Sequence, residues 1–306
     1  MKKSIITMMA ALALCCVANS QEVMKLELKN GQVVTYPVEN ISRFYFEGED
    51  EQPQEQLAEN CELAIVDDVV LNTSAALKLS LGSEVERIFF GQTAHTDLSA
   101  YSDDVLCQAV LQTGKTTPKS NPYVFTDGFE EGKEYVFLIF GVNAQGKRGP
   151  LYKYHFTTTV AANEPQAVVT EVKPETDRYR ITVEADKAKV KDYYISAATV
   201  EDMEFQPTAL LGLVLKSDLN NMHMYENSET VYLKRNSSTE KVMTFAWARG
   251  WDNKLSGYID YKIWYGTSNA RMLAPKEKSA EPTVRFYCEE EVENLVKKIR
   301  KVTVRQ

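Results

Sequence analysis

The chain has 306 residues, 44% of them hydrophobic and 25% charged, with a formal net charge of -8. This composition excludes wholesale disorder and a multi-span membrane protein, and the acid excess opposes binding to nucleic acid, whose phosphates need clustered Lys and Arg. At about 100 to 200 residues per domain, the length implies two cores plus smaller segments.

Lys2 and Lys3 precede an apolar run from Ile5 to Val17 and then Ala18-Asn19-Ser20, with small residues at both positions that a signal peptidase reads. The pattern predicts a signal peptide over residues 1–20 and an exported protein, in the periplasm or at the cell surface or outer membrane. The run is shorter than the roughly 20 residues needed to cross a bilayer, and no later stretch approaches that length, so no transmembrane segment is expected after signal removal. Cys15 and Cys16 raise the alternative of a lipid anchor, against which stands Leu14 where a small residue is wanted. Cleavage before Gln21 leaves Cys61, Cys107 and Cys288, an odd count without CxxC spacing, which excludes a common zinc site and allows one disulfide at most. Cys61 with Cys107 is the candidate pair because both fall in one domain; three free thiols are the alternative.

Residues 21–47 form a small β unit, with strands either side of Asn30-Gly31, a pair that tolerates the positive φ of a type I′ hairpin turn, and a third strand from Arg43 to Phe46. Residues 48–60 are acidic and polar, a flexible linker. The first large domain spans 61–159, with strands at Glu62 to Leu71, Ser74 to Leu81, Val85 to Phe90, Tyr123 to Thr126, Tyr135 to Val142 and Leu151 to Thr157. A short helix at Asp103 to Leu111 interrupts it. The second, 166–275, repeats that order: strands at Ala167 to Val172, Tyr179 to Ala185, Asp192 to Ala197, Thr230 to Leu233, Val242 to Arg249 and Tyr258 to Trp264, with a helix at Pro207 to Leu219. Setting Lys147 on Lys254, a shift of 107 residues, aligns Phe140 with Trp247, Gly141 with Ala248 and, with one inserted residue, Gly149 with Gly257. A repeat of about 100 residues is one immunoglobulin-like sandwich.

Phe129-Glu-Glu-Gly-Lys-Glu-Tyr135, then Phe140-Gly-Val-Asn-Ala-Gln-Gly146-Lys, then Phe156-Thr-Thr resembles the end of a fibronectin type III repeat, where a glycine-containing turn precedes a tyrosine-led strand. The second repeat departs from it, with Lys241-Val242 where the first has Glu134-Tyr135. Leu28-Lys-Asn-Gly-Gln, Tyr36-Pro-Val-Glu-Asn-Ile-Ser and the helical insertions resemble exported, often surface-attached proteins of Bacteroides-type bacteria. The expected fold is therefore mainly β: two tandem immunoglobulin/fibronectin type III-like β-sandwiches with short helical insertions, preceded by a small β-hairpin unit.

His95, His155 and His223 fall in separate elements without ligand spacing, and the acid pairs Asp67-Asp68 and Asp103-Asp104 are sequence neighbours rather than carboxylates facing each other across a cleft. No catalytic, cofactor-binding or metal-ligating residue is assigned, and no cofactor is expected. The aromatic set Phe245, Trp247, Trp251, Tyr258, Tyr261, Trp264 and Tyr265 is the functional candidate: Phe245 and Trp247 read as core, Trp251 in the connecting loop and Tyr258 beside it as ligand contacts. In the C-terminal tail, 276–306, Val292, Leu295, Val296 and Ile299 follow helical spacing, with acids leading and bases trailing as a helix dipole favours. The sequence points to a non-enzymatic exported binding or adhesion protein whose partner is a protein or glycan at the cell envelope, with no nucleic acid. The alternative is an accessory glycan-binding protein of a carbohydrate-utilisation system.

Overall fold

The computed structural model describes residues 23–27, 33–37, 56–199, 208–217, 224–225, 230–234, 241–265 and 283–302. The chain divides into two units, Met1–Gln56 and Leu57–Gln306. In the first, β1 (Val23–Glu27) pairs antiparallel with β2 (Val33–Pro37), Leu26 opposite Val34. The expected signal peptide, the Asn30-Gly31 turn, the strand expected at Arg43 to Phe46, most of the expected linker and His223 lie outside the described residues.

The second unit opens with a sandwich. One sheet holds β3 (Leu63–Val70), β4 (Ser74–Leu81) and β7 (Tyr123–Asp127); the other has the order β6-β5-β8-β9, from Lys115–Pro118, Arg87–Thr93, Glu134–Val142 and Tyr152–Thr157. β8 is buried on both faces, which is why its sequence runs apolar without alternation. Tyr135, Phe137 and Ile139 point into the sandwich with Phe90, Phe129 and Phe156. Val136, Leu138, Phe140 and Val142 point outward, under α1 (Asp103–Thr113), whose Leu106, Cys107 and Val110 cover them. α1 starts where Ser102 caps it, its hydroxyl accepting the Val105 N–H at 3.4 Å, with Asp103 and Asp104 in the first turn.

The second sandwich repeats the arrangement strand for strand. β10 (Ala167–Pro174), β11 (Arg178–Ala185) and β14 (Thr230–Lys234) make the three-stranded sheet. The facing sheet is β13-β12-β15-β16, from Met224–Tyr225, Val190–Thr199, Lys241–Gly250 and Leu255–Tyr265, and α2 (Thr208–Ser217) takes the place of α1. The fold is two tandem fibronectin type III-like sandwiches with helical insertions. The matched glycines have a common cause: a Cβ on Gly149 would lie 2.1 Å from the Cys61 carbonyl oxygen, and one on Gly257 2.2 Å from Thr159 Cγ2, each meeting the chain that leads into its own sandwich. Gly149→Ala is expected to lower stability by about 1–3 kcal/mol through this overlap; an unchanged urea midpoint would contradict the account.

The two sandwiches do not merely follow one another. Tyr193, Ile195, Val242, Ala246 and Ala248 fill the second interior. The opposite faces of the same strands, carrying Tyr194, Met243, Phe245 and Trp247, join Val69, Leu71, Ala76 and Phe125 of the first sandwich in one core around α2. A Cβ on Gly212 of α2 would meet Val69 of the first repeat and Ile259 of the second, each at 3.1 Å. Lys216 at the helix end closes the seam on Asp67, 2.7 Å away.

The tail returns to the first sandwich. β17 (Thr283–Tyr287) pairs antiparallel with the open edge of β7, so that sheet reads β17-β7-β4-β3, and Val284 and Phe286 pack into the first interior, Phe286 edge-on to Phe90. α3 (Glu289–Val302) then lays Val292 and Leu295 into the shared core, while Glu289 accepts from Tyr123 Oη at 3.0 Å and from Lys78 Nζ at 3.3 Å. Its first turn is boxed by Glu291, whose carboxylate accepts the Cys288 N–H at 2.7 Å. Cys61 lies in the first interior and Cys107 beneath α1, on opposite faces of the β6-β5-β8-β9 sheet, and no bond joins them.

Candidate functional site

The β15–β16 hairpin is the second repeat's copy of the β8–β9 hairpin, down to its hydrogen bonds. Gly250 N–H donates to the Lys254 carbonyl and Asn253 N–H to the Gly250 carbonyl, both at 2.9 Å; 107 residues earlier Asn143 donates to Lys147 and Gly146 to Asn143, both at 3.0 Å. The residue that must take positive φ is Gly146 (79°) in one and Asn253 (64°) in the other, an asparagine being among the few side chains at ease there. The tip is therefore a stiff four-residue turn. On it, where the first repeat has Ala144, stands Trp251, 63% exposed. Its indole N–H donates to the Lys187 carbonyl at 3.3 Å, which ties the ring to the neighbouring β11–β12 turn. The other two tryptophans are buried with their N–H groups satisfied, Trp247 on the Ser256 carbonyl and Trp264 on Thr244 Oγ1. Phe245 and Trp247 are core, in the seam between the repeats.

Tyr258 sits elsewhere, on β16, with its hydroxyl donating to Asp260 Oδ1 at 3.3 Å. Asp260 is almost fully buried; it accepts the Val169 N–H at 2.9 Å, and Lys262 bridges Asp260 at 3.1 Å and the Val169 carbonyl at 2.8 Å. Val169 opens the bulge in β10, so this group pins an irregular strand to the sheet facing it. Burial and then the Asp260 charge push the Tyr258 hydroxyl up to about 12. Burial also raises Tyr123, Tyr154, Tyr194 and Tyr287. A phenol raised on folding holds its proton where the unfolded chain has lost it. This stabilisation is present below about pH 10 and is lost as pH rises from there through about 12. Alkaline unfolding in that window is the expected result, and Tyr258→Phe should remove the step titrating near 12 from the ultraviolet tyrosinate titration.

The acid pairs serve the fold. Asp67 holds Lys216, Asp68 accepts from Tyr154 Oη at 2.8 Å, Asp103 meets Lys153 at 2.8 Å, and Asp104 bonds Arg148. His95 lies edge-on to Tyr101 in a loop and His155 is exposed on β9. Among the described residues, no group of three His, Cys, Asp or Glu side chains is placed to hold a metal ion. Absent from the sequence-derived candidates are the lysines of the turn that receives Trp251. Lys191 Nζ donates to Asn253 Oδ1 at 2.6 Å, and Lys189 Nζ to the Ala162 carbonyl at 3.1 Å. At the matching place before β5, found once the strands that follow are paired, the first repeat holds Glu84 and Glu86.

No helix among the described residues is long and apolar enough to cross a membrane. No family model matches the chain, and no curated protein matches it. Among solved structures, a two-domain fibronectin type III segment of chicken tenascin is similar over 67% of this chain and 98% of its own, at 11% identity and a TM-score of 0.23.

Proposed function

We propose that the chain is a non-enzymatic binding or adhesion protein, exported to the cell envelope, that recognises a glycan or protein through the hairpin tip of its second sandwich. The observation that carries this reading is Trp251. A tryptophan 63% exposed on a stiff turn costs solubility and serves no core, while its two fellows are buried. A ring held at its N–H edge by a backbone carbonyl keeps its orientation before a ligand arrives, so little side-chain entropy remains to be lost on contact. The seam between the sandwiches supports the same reading, because it fixes the tip on a rigid body. Glycan capture, as an accessory protein of a carbohydrate-utilisation system would perform it, suits an isolated exposed ring better than a protein interface does. Protein hot spots sit in well-packed pockets from which water is excluded, whereas Trp251 is 63% exposed and is followed in its turn by Asp252, Asn253 and Lys254. A glycan array with wild type and Trp251→Ala tests this: binding that Trp251→Ala abolishes is expected, and a blank wild-type array would remove glycans from the proposal. Export is tested by the mass of the mature protein, expected to start at Gln21 without acyl mass.

A further inference from the structure

The two repeats offer an internal control, since they build the same tip on the same scaffold with different side chains. In the first, the turn before β5 inserts Val85 into the core and exposes Glu84 and Glu86 either side of it. In the second, 105 residues on, Val190 is the buried anchor, and Lys189 and Lys191 flank it. The register is fixed by the strands that follow, Arg87 facing Val142 and Asp192 facing Arg249. The fold thus accepts either charge at these places, and the second repeat has exchanged two acids for two bases just where it exchanges Ala144 for Trp251. Lys187 in the same turn and Lys254 in the hairpin add to the basic side, Lys254 with a side chain 84% exposed. The same turns hold two acids: Asp186 accepts the Ala188 N–H and Asp252 the Lys254 N–H, each at 3.0 Å, and Asp252 also lies 3.9 Å from Lys254 Nζ. In the two turns that meet at the indole, four lysines therefore stand against two acids, on a chain whose net charge is -8.

Resting on the proposal that this tip is the recognition surface, we infer that its ligand is an anionic polysaccharide whose sugar units carry carboxylates. The indole offers a flat apolar face for the C–H face of a sugar ring, and the excess of lysines in the two turns supplies the positive charge that favours its carboxylate. A membrane surface fits less well: an inserting tip needs several apolar residues, whereas Trp251 is followed by Asp252 and Asn253 and its ring is tied at the edge to Lys187.

The first repeat also supplies the variants, because it carries the replacement residues at the same register. Binding is measured by calorimetry on the whole chain with polygalacturonate, alginate and hyaluronan, alongside neutral dextran and phosphatidylserine vesicles. Wild type is expected to bind at least one acidic polysaccharide, more weakly as salt rises, and not dextran. Trp251→Ala and the double variant Lys189→Glu/Lys191→Glu should each weaken binding about tenfold or more, with unchanged thermal unfolding showing that both remain folded. A blank with all three acidic polysaccharides overturns the inference, and so does binding indifferent to the charge reversal. Vesicle binding without polysaccharide binding overturns it in favour of a lipid surface. Binding of a neutral glycan that needs Trp251 and ignores the lysines keeps the recognition tip but overturns the acidic ligand.

Discussion

Ending the chain after residue 282 is expected to abolish cooperative folding of everything from Leu57 onward, although both sandwiches keep every other strand. The truncation removes β17, which reopens the β7 edge and strips Val284 and Phe286 from the first interior; it also removes α3, whose Val292 and Leu295 close the core around α2. Opening an edge and baring two cores at once costs more than a domain's whole margin, which is about 5–15 kcal/mol. Urea unfolding followed by circular dichroism should show a broad, low transition in place of the sharp one of the full chain. A milder variant keeps the backbone: Leu295→Ala, at a side chain only 4% exposed, should cost about 2–4 kcal/mol. A truncated chain with the full-length midpoint would show that the returning segment does not hold the first sandwich.

Trp247→Ala should cost about 3–5 kcal/mol, the range for emptying a large buried site, and should do so for both repeats. Trp247 is 2% exposed, lies on the outward face of β15, and shares its core with Val69 and Phe125 of the first repeat. Its N–H also satisfies the Ser256 carbonyl at 2.7 Å, which the substitution leaves without that donor. The variant is expected to unfold in one transition shifted to lower urea, because the damaged core belongs to both sandwiches. Two separated transitions, one at the wild-type position, would mean the repeats fold independently and the seam carries little.

Much of the fold is legible in the residues because local patterns carry it. The uninterrupted apolar run of β8 announces a strand covered on both faces, and the 107-residue register places both hairpins, with Phe140 and Trp247 each outward beneath an inserted helix. The resemblance to fibronectin type III repeats adds the sandwich. The seam also has a signal in the sequence: α1 is amphipathic and covers one sheet, whereas Ala209 to Leu215 of α2 is apolar all round and is buried against both repeats. What local patterns cannot carry is β17. Thr283-Val-Arg-Phe-Tyr287 alternates over only five residues, and its partner lies in another repeat; the contact that seats the tail, Glu289 with Tyr123, spans 166 residues. The short edge strands β6 and β13 escape for lack of length. Of the tip, Trp251 is readable because an aromatic in a polar turn lacks a core to enter. The lysines beside it appear only when the turn before β12 is brought against the hairpin.

Because β17 belongs to the first sheet, the first half of the molecule cannot be finished before the last. A chain made from its N-terminus leaves the β7 edge without its neighbour until Thr283–Tyr287 emerges behind the whole second sandwich, so the first sheet is completed only after the second repeat has been delivered. A chain cut short in transit would expose that edge as a template for other strands, and proteases would meet it before it closed.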